Sequence, residues 1–553
     1  MASPLLLHAL GQASRLSRIV SFARAAERPE ATQSQKLQDI LSANAHTEYG
    51  RRFGFSRVRN ARQYGEVVPL MTSDSLAGYV ERLMRGERGI LTIEPPLFYT
   101  RTSGSGGKHK HIPITSSYKI DFQKTVHTAL GHLYVKFPKA FTGRALYFVG
   151  TRRFEVAGDH LDIGTMSGYN FTELPKLLRS IYAWPYELFE VADLTTRSYL
   201  ALYIAIVSDT SLVAGIFPAP LVYLLRELEA RASELVVDLR AGSLRFAGEL
   251  TESQRAFFAR YAKPRPEIAA RIEAAIGRPP HELTRAAFPM LNLIYCWKTA
   301  SAELYIPELA RRVGADIPIR DAIYAASEAW CSIPLGDDVP GGALAIESAF
   351  YEFIPEAAFE AGSRMALTVG ELEQGERYFI VVTTASGLYR YVLGDVVEVC
   401  GRYRATPMIR FVRRRGGVVN LAGENVDEDH VVVGIRAAAA RLGIEPTWFA
   451  WAPLTTEVPP RYRMWLETCD ALPVEKLRAM AEAVEFEVDR VAMDYGRVRR
   501  AKLLAPLELV SVPAGTYERA RRARLSDGSA EAQLKVNVLY RSVSEVEALL
   551  GVD

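Results

Sequence analysis

The stretch Tyr99–Pro113, "YTRTSGSGGKHKHIP", sets Gly104, Gly106 and Gly107 among Thr102, Ser103 and Ser105 and follows them with Lys108 and Lys110. Glycine lets backbone N–H groups converge on an anion, and hydroxyls donate to phosphate oxygens, so a phosphate loop is one reading. A polar surface turn is the other, and the stretch alone does not separate them. It is not a Walker A loop, which needs four residues between its glycines and a Ser or Thr directly after its lysine. His109 and His111 alternate with no cysteine or carboxylate nearby, a poor set for a metal ion.

Two further stretches carry acids in unusual company. In "GLYRYVLGDVVEV", Asp395 lies inside a strongly β-forming run. A carboxylate there is partly desolvated and needs strong donors. A neighbouring arginine such as Arg390 would supply them in a purely structural arrangement; the paired hydroxyls of a ribose would do so in a functional one. In "IRDAIYAASEAW", Tyr324, Ser327 and Glu328 follow one another closely. A serine followed by an acid is ordinary helix-capping chemistry, so a helix start accounts for it. The functional reading gives Tyr324 a stacking role and makes Glu328 a hard oxygen ligand for Mg2+, which commonly takes one or two carboxylates plus nucleotide phosphates.

The elements that must position these residues read as α/β. Helical and strand signals alternate through most of the chain, with no internal repeat. "LVYLLRELEARASELVVDLR" puts Leu221, Leu224, Leu225 and Leu228 on one helical stripe. "RYFIVVTTASGLYRYVLGDVVEV" reads as two strands joined by an Ala-Ser-Gly turn. Beyond about residue 420 the elements shorten: strands around Thr447–Ala452 and Arg461–Glu467, then a helix from about Val474. That tail is long enough for a small α+β domain, and "VVNLAGENVDEDH" is the expected hinge.

At 553 residues the chain exceeds one ordinary core, so at least two domains are expected. Lys and Arg total 67 against 64 for Asp and Glu, and a net charge of +3 gives no pull toward nucleic acid or an anionic membrane. The Arg-rich tail (Arg497, Arg499, Arg500, Arg519, Arg521, Arg522, Arg524) reads as a solvated face. Cys296, Cys331, Cys400 and Cys469 form no C-x-x-C pair and suit reduced thiols of a cytoplasmic protein. No apolar run is long enough to span a bilayer. The acid-poor N-terminus resembles a transit peptide in composition, but it reads better as an amphipathic first helix with Leu6, Leu10 and Ile19 inward.

Taken in order, "TSGSGGKHKHIP", "YAASE" and "YVLGD" resemble the motifs of the Gretchen Hagen type auxin-responsive acyl-acid amido synthetases, a branch of the adenylate-forming enzymes. "FYEFIP", "CWKTASAELYIPEL" and the closing "QLKVN" support the likeness, which runs from about Tyr49 to Tyr540. The resemblance implies an α/β fold: a large N-terminal adenylation domain (1–420), a hinge (421–430) and a smaller mobile C-terminal α+β domain (431–553), with the site in the cleft between them. It implies an ATP- and Mg2+-dependent ligase that adenylates a carboxylic acid and passes the acyl group to an amine, an amino acid in the family's usage, with no nucleic acid or membrane partner. An acid–thiol ligase using coenzyme A, or a non-catalytic nucleotide-binding relative, are the alternatives.

Residue by residue, the resemblance assigns Thr102, Ser103 and Ser105 to the ATP phosphates, Tyr324 to adenine, and Ser327 and Glu328 to the phosphates and Mg2+. Asp395 and Arg414 fall to the ribose, and Lys535 to the catalytic lysine of the C-terminal domain. The chain departs from the pattern in four places. The loop is one hydroxyl residue short, Val392 replaces the arginine of Y-R-x-G-D, Ala329 replaces a glycine, and Asn425 falls where a lysine is usual.

Overall fold

Strands form where Val, Ile and Tyr concentrate, and several helices begin at Thr, Asn or Asp caps while others open on proline. The computed structural model describes residues 16–102, 110–150, 152–215, 217–299, 302, 305–336, 341–414, 418–419, 421–422, 424, 426–457, 459–500, 502, 504–526 and 537–551. The chain divides into two units. The first comprises residues up to Ile216, Tyr223–Trp297 and Ala310–Phe411; the second comprises Phe217–Val222, Lys298–Leu309 and the chain from Val412.

The first unit opens with helices. Residues 16–25 are helical with Ile19 half-buried, whereas Leu6 and Leu10 lie outside the described residues. Strands β1 (Phe98–Thr102) and β2 (Lys110–Ile114) form an antiparallel hairpin. β3 (Arg144–Tyr147) begins a separate sheet, while β4 (Glu155–Val156) and β5 (Asp162–Gly164) extend the hairpin sheet to the order β2-β1-β5-β4. β6 (Thr210–Ala214), β7 (Leu293–Cys296) and β8 (Ile319–Asp321) join β3 in an all-parallel sheet. Between β6 and β7 runs the helix Ala219–Ala241, which buries the expected stripe of Leu221, Leu224, Leu225 and Leu228.

A third sheet carries most of the acids of interest. Its strands are β9 (Tyr324–Ala325), β10 (Trp330–Ile333), β11 (Gly342–Leu344), β12 (Phe350–Pro355), β13 (Arg377–Thr383), β14 (Tyr391–Tyr403) and β15 (Thr406–Arg414). They lie in the order β12-β13-β14-β15-β11-β10-β9. The expected β13–β14 hairpin is present, antiparallel. "IRDAIYAASEAW", by contrast, starts no helix: it runs from β8 through β9 into β10, so helix capping does not explain Ser327.

The second unit contains the two-stranded β16 (Val418–Val419) and β17 (Val426–Asp427) and the helix Glu428–Leu442, capped by Asp427. β18 (Pro446–Leu454), β19 (Arg461–Thr468) and β20 (Glu508–Val512) form a sheet, and the helix Val474–Val491 follows β19. β18, β19 and the helix Val474–Val491 are the elements expected there. The Arg-rich tail is paired within this unit: Arg499 with Glu485, Arg500 with Asp489, and Arg521 and Arg522 with Glu518. Among the described residues no helix is long and apolar enough to cross a membrane.

Candidate active site

Tyr324 and Asp395 meet directly. The Tyr324 hydroxyl donates to Asp395 Oδ2 at 2.7 Å, and both residues are 5% exposed. β9 and β14 are four strand steps apart in their sheet, about 19 Å if the sheet were flat. One tyrosine cannot reach that far, so the sheet curls and brings its two halves together.

Asp395 is aimed by a bulge. Val381 pairs with Val392 and Phe379 with Val396, so two steps along β13 face four along β14. The extra residues include Gly394, whose φ of +80° suits glycine, and Asp395 itself. Such bulges bend a strand and redirect its side chains. Arg390, the structural candidate for Asp395's donor, is engaged elsewhere. Its Nε lies 3.1 Å from both carboxylate oxygens of buried Glu352, and its Nη1 donates to the Gly65 and Val68 carbonyls. Arg390 is therefore not Asp395's donor, and the Tyr324 hydroxyl is a donor to it.

Ser327 and Glu328 sit in the tight connection between β9 and β10, closed by the Ala326 N–H donating to the Ala329 carbonyl at 2.8 Å. Glu328 is 3% exposed and Ser327 is half-buried. Directly after the turn, β10 breaks register between Trp330 and Ser332, which leaves Cys331 as the extra residue. Burial pushes the Cys331 thiol well up, and the charges of Asp395 and then Glu328 add to the rise. One buried sulfur thus feels both acids, which places them in one neighbourhood.

An aromatic trio completes the picture. The Tyr324 ring is 5.6 Å from Trp297 and 5.6 Å from Phe411, and Trp297 and Phe411 are 5.9 Å apart. Sequence reasoning missed Trp297 and Phe411. Trp297 had a readable signal: it directly follows the parallel strand β7, and ligands in α/β sheets gather at the carboxyl ends of such strands. Phe411 had none.

The glycine-rich stretch is fixed at its two stems. Thr102 ends β1 and pairs in register with Lys110 of β2. Arg101 and His111 are cross-strand partners, each 3.9 Å from Glu155, and the Arg101 guanidinium lies 3.9 Å over the Phe154 ring. Ser103 and Ser105 lie outside the described residues, as do Asn425 and Lys535. Arg414 closes β15. Of the expected site residues, Tyr324, Ser327, Glu328 and Asp395 are the ones whose mutual placement the structure describes.

Comparison with known proteins gives three consecutive matches. Residues 18–319 match the GH3 family N-terminal domain, 342–414 the GH3 family central domain and 429–544 the GH3 family C-terminal domain. A jasmonoyl–L-amino acid synthetase of Nicotiana attenuata is 27% identical over 525 residues, covering 91% of this chain and 90% of its own. An indole-3-acetic acid-amido synthetase of Arabidopsis thaliana is 24% identical over 529 residues, covering 91% and 88%. The solved structure of the acyl acid amido synthetase GH3.15 superposes with a TM-score of 0.84 at 23% identity, covering 96% of this chain and 94% of that one. A 2-hydroxyisobutyryl-CoA ligase superposes with a TM-score of 0.55 at 11% identity, covering 95% and 92%.

Proposed function

The chain belongs to the GH3 family, and on that premise we propose that it is an ATP-dependent acyl-acid amido synthetase. A carboxylic acid attacks the α-phosphorus of ATP, giving an acyl-adenylate and pyrophosphate. The amine of an amino acid then attacks the activated acyl carbon, forming an amide and releasing AMP. The observation that carries this reading is the Tyr324–Asp395 hydrogen bond, set beside an aromatic trio and close to the Ser327–Glu328 turn. A buried carboxylate accepts two vicinal hydroxyls, and flat rings accept a purine.

In this assignment Asp395 and Arg414 take the ribose, Tyr324 packs on adenine, and Thr102, Ser103, Ser105 and Ser327 take the phosphates. The oxygen donors present suit Mg2+. Among the described residues no three His, Cys, Asp or Glu side chains cluster as a metal cage, whereas Mg2+ commonly binds through one carboxylate and its nucleotide. Glu328 would hold it, and the ion would neutralise charge on the phosphates. Lys535 would stabilise the charge that builds at the α-phosphate as the acid attacks. Residues 421–430 are our proposed hinge before the C-terminal part, 431–553.

The amide outcome is favoured because the relatives named above are a jasmonoyl–L-amino acid synthetase and an indole-3-acetic acid-amido synthetase, whereas the CoA ligase shares the fold alone. The test is pyrophosphate exchange across a panel of carboxylic acids. The best acid is then offered amino acids and, separately, coenzyme A, with products weighed by mass spectrometry. Amide formation supports the proposal. Thioester without amide, or no exchange with any acid, overturns it.

A further inference from the structure

Two buried tyrosines reach backbone carbonyls on either side of Glu328 in the sequence. The Tyr351 hydroxyl donates to the Trp330 carbonyl at 2.6 Å, with the Ala345 carbonyl at 3.3 Å as a second acceptor. The Tyr118 hydroxyl points at the Ser327 carbonyl, 3.5 Å away. The two residues come from separate elements: Tyr351 from β12, and Tyr118 from the first turn of the helix Ser116–Lys136, whose cap Thr115 accepts the Tyr118 N–H. Burial, and then the Glu328 charge, raise the Tyr118 phenol well above its ordinary value, so it stays a donor.

Tyr351 is itself anchored. Its N–H donates to Gln33 Oε1 at 2.7 Å, and Gln33 Nε2 donates to the Ile346 and Ala349 carbonyls, each at 2.7 Å. Gln33 is buried on the helix Pro29–Ala43. A rigid polar chain therefore runs from that helix, through Tyr351, to the carbonyl two residues after Glu328.

Phenylalanine would fill the same space at 351, where the side chain is 0% exposed. What the hydroxyl adds is chiefly its short bond at Trp330, where β10 leaves its regular ladder, with the longer Ala345 contact beside it. A carbonyl at a register break is free to tilt, and its tilt moves the adjoining turn. We propose that Tyr351, together with Tyr118, is a positioning residue that fixes the Glu328 carboxylate for the metal–nucleotide complex. The inference rests on the reading above that Glu328 serves Mg2+.

The test is Tyr351→Phe, compared with Glu328→Gln and with Tyr64→Phe, which removes another fully buried hydroxyl, bonded to Thr383 and outside the turn. Mn2+ is titrated by electron paramagnetic resonance in the presence of a non-hydrolysable ATP analogue. AMP affinity without metal and the melting temperature are measured on the same samples. Losing one buried hydrogen bond should weaken Mn2+ binding about fivefold in Tyr351→Phe. AMP affinity should hold, and Tyr64→Phe should show neither change even if it melts lower. Tyr118→Phe should shift Mn2+ binding in the same direction and gives an independent test.

A Glu328→Gln shift with none in Tyr351→Phe or Tyr118→Phe overturns the positioning role alone. No shift in Glu328→Gln overturns the metal reading and this inference with it. Equal loss of AMP and Mn2+ binding in Tyr351→Phe makes the tyrosine a general support of the core and likewise overturns the proposal.

Discussion

Replacing Asp395 separates its charge from its shape. Asp395→Asn keeps an oxygen that can accept the Tyr324 hydroxyl, now 2.7 Å away, removes the negative charge and turns the other acceptor oxygen into an N–H donor. Charge-assisted hydrogen bonds to a ribose are worth about 1.5–3 kcal/mol, so ATP affinity should fall roughly ten- to a hundredfold while the fold persists. Asp395→Ala should lose the same affinity and in addition destabilise the protein. It leaves the hydroxyl of a tyrosine that is 5% exposed without its acceptor, at a cost of about 1–3 kcal/mol. Tyr324→Phe is the reciprocal probe. It should weaken ATP by less, about two- to tenfold, because it removes the bond that orients Asp395 but keeps the carboxylate. Calorimetric ATP titration and thermal melting on the three variants decide the matter. If Asp395→Asn melts like the wild type and binds ATP as well, the carboxylate does not hold the ribose.

Three further outcomes are expected. Glu328→Gln should impair Mg2+-dependent pyrophosphate exchange more than AMP binding, because AMP needs no metal to bind; equal losses would make the glutamate structural. Lys535→Ala should lower kcat for adenylation about a hundredfold, about 2.7 kcal/mol, with little change in ATP affinity, and should largely spare amide formation from a synthetic acyl-adenylate. Full adenylation activity would remove that lysine from the mechanism. His132, on the helix Ser116–Lys136, is held by burial below its ordinary value of 6.5. Below that pH the unfolded chain takes up a proton that the folded chain resists, so stability present above it is lost as pH falls, by at most about 1.4 kcal/mol per pH unit. His132→Leu should therefore lose less melting temperature than the wild type between pH of about 7.5 and about 5.5; an identical loss refutes the assignment.

The elements were legible where periodicity is local. The leucines of Ala219–Ala241, the β13–β14 hairpin and the strands β18 and β19 all follow from patterns within one stretch of chain. The site was legible only as separate pieces. Tyr324 and Asp395 are 71 residues apart, and their contact depends on how far the sheet curls, which no local pattern encodes. The bulge that turns Asp395 is marked by Gly394, but a glycine in a strand equally signals a close backbone approach. Glu352, in "FYEFIP", looks like one more polar residue in an edge pattern, yet it takes the guanidinium that local sequence offered to Asp395.

That exchange of partners bears on function. An arginine against Asp395 would have stabilised the carboxylate internally and competed with any ligand for its oxygens. Arg390 is instead turned to Glu352 by a left-handed backbone, φ +48°, and is tied to the carbonyls of Gly65 and Val68. Tyr324 orients Asp395 through a neutral hydroxyl. The departure at Val392 is compatible with this arrangement, since that residue acts through its backbone: its N–H donates to the Met71 carbonyl and it pairs with Val381. A carboxylate oriented by a neutral donor and not bound by Arg390 suits the proposed contact with two sugar hydroxyls, and the Tyr324 bond offsets part of the cost of burying it.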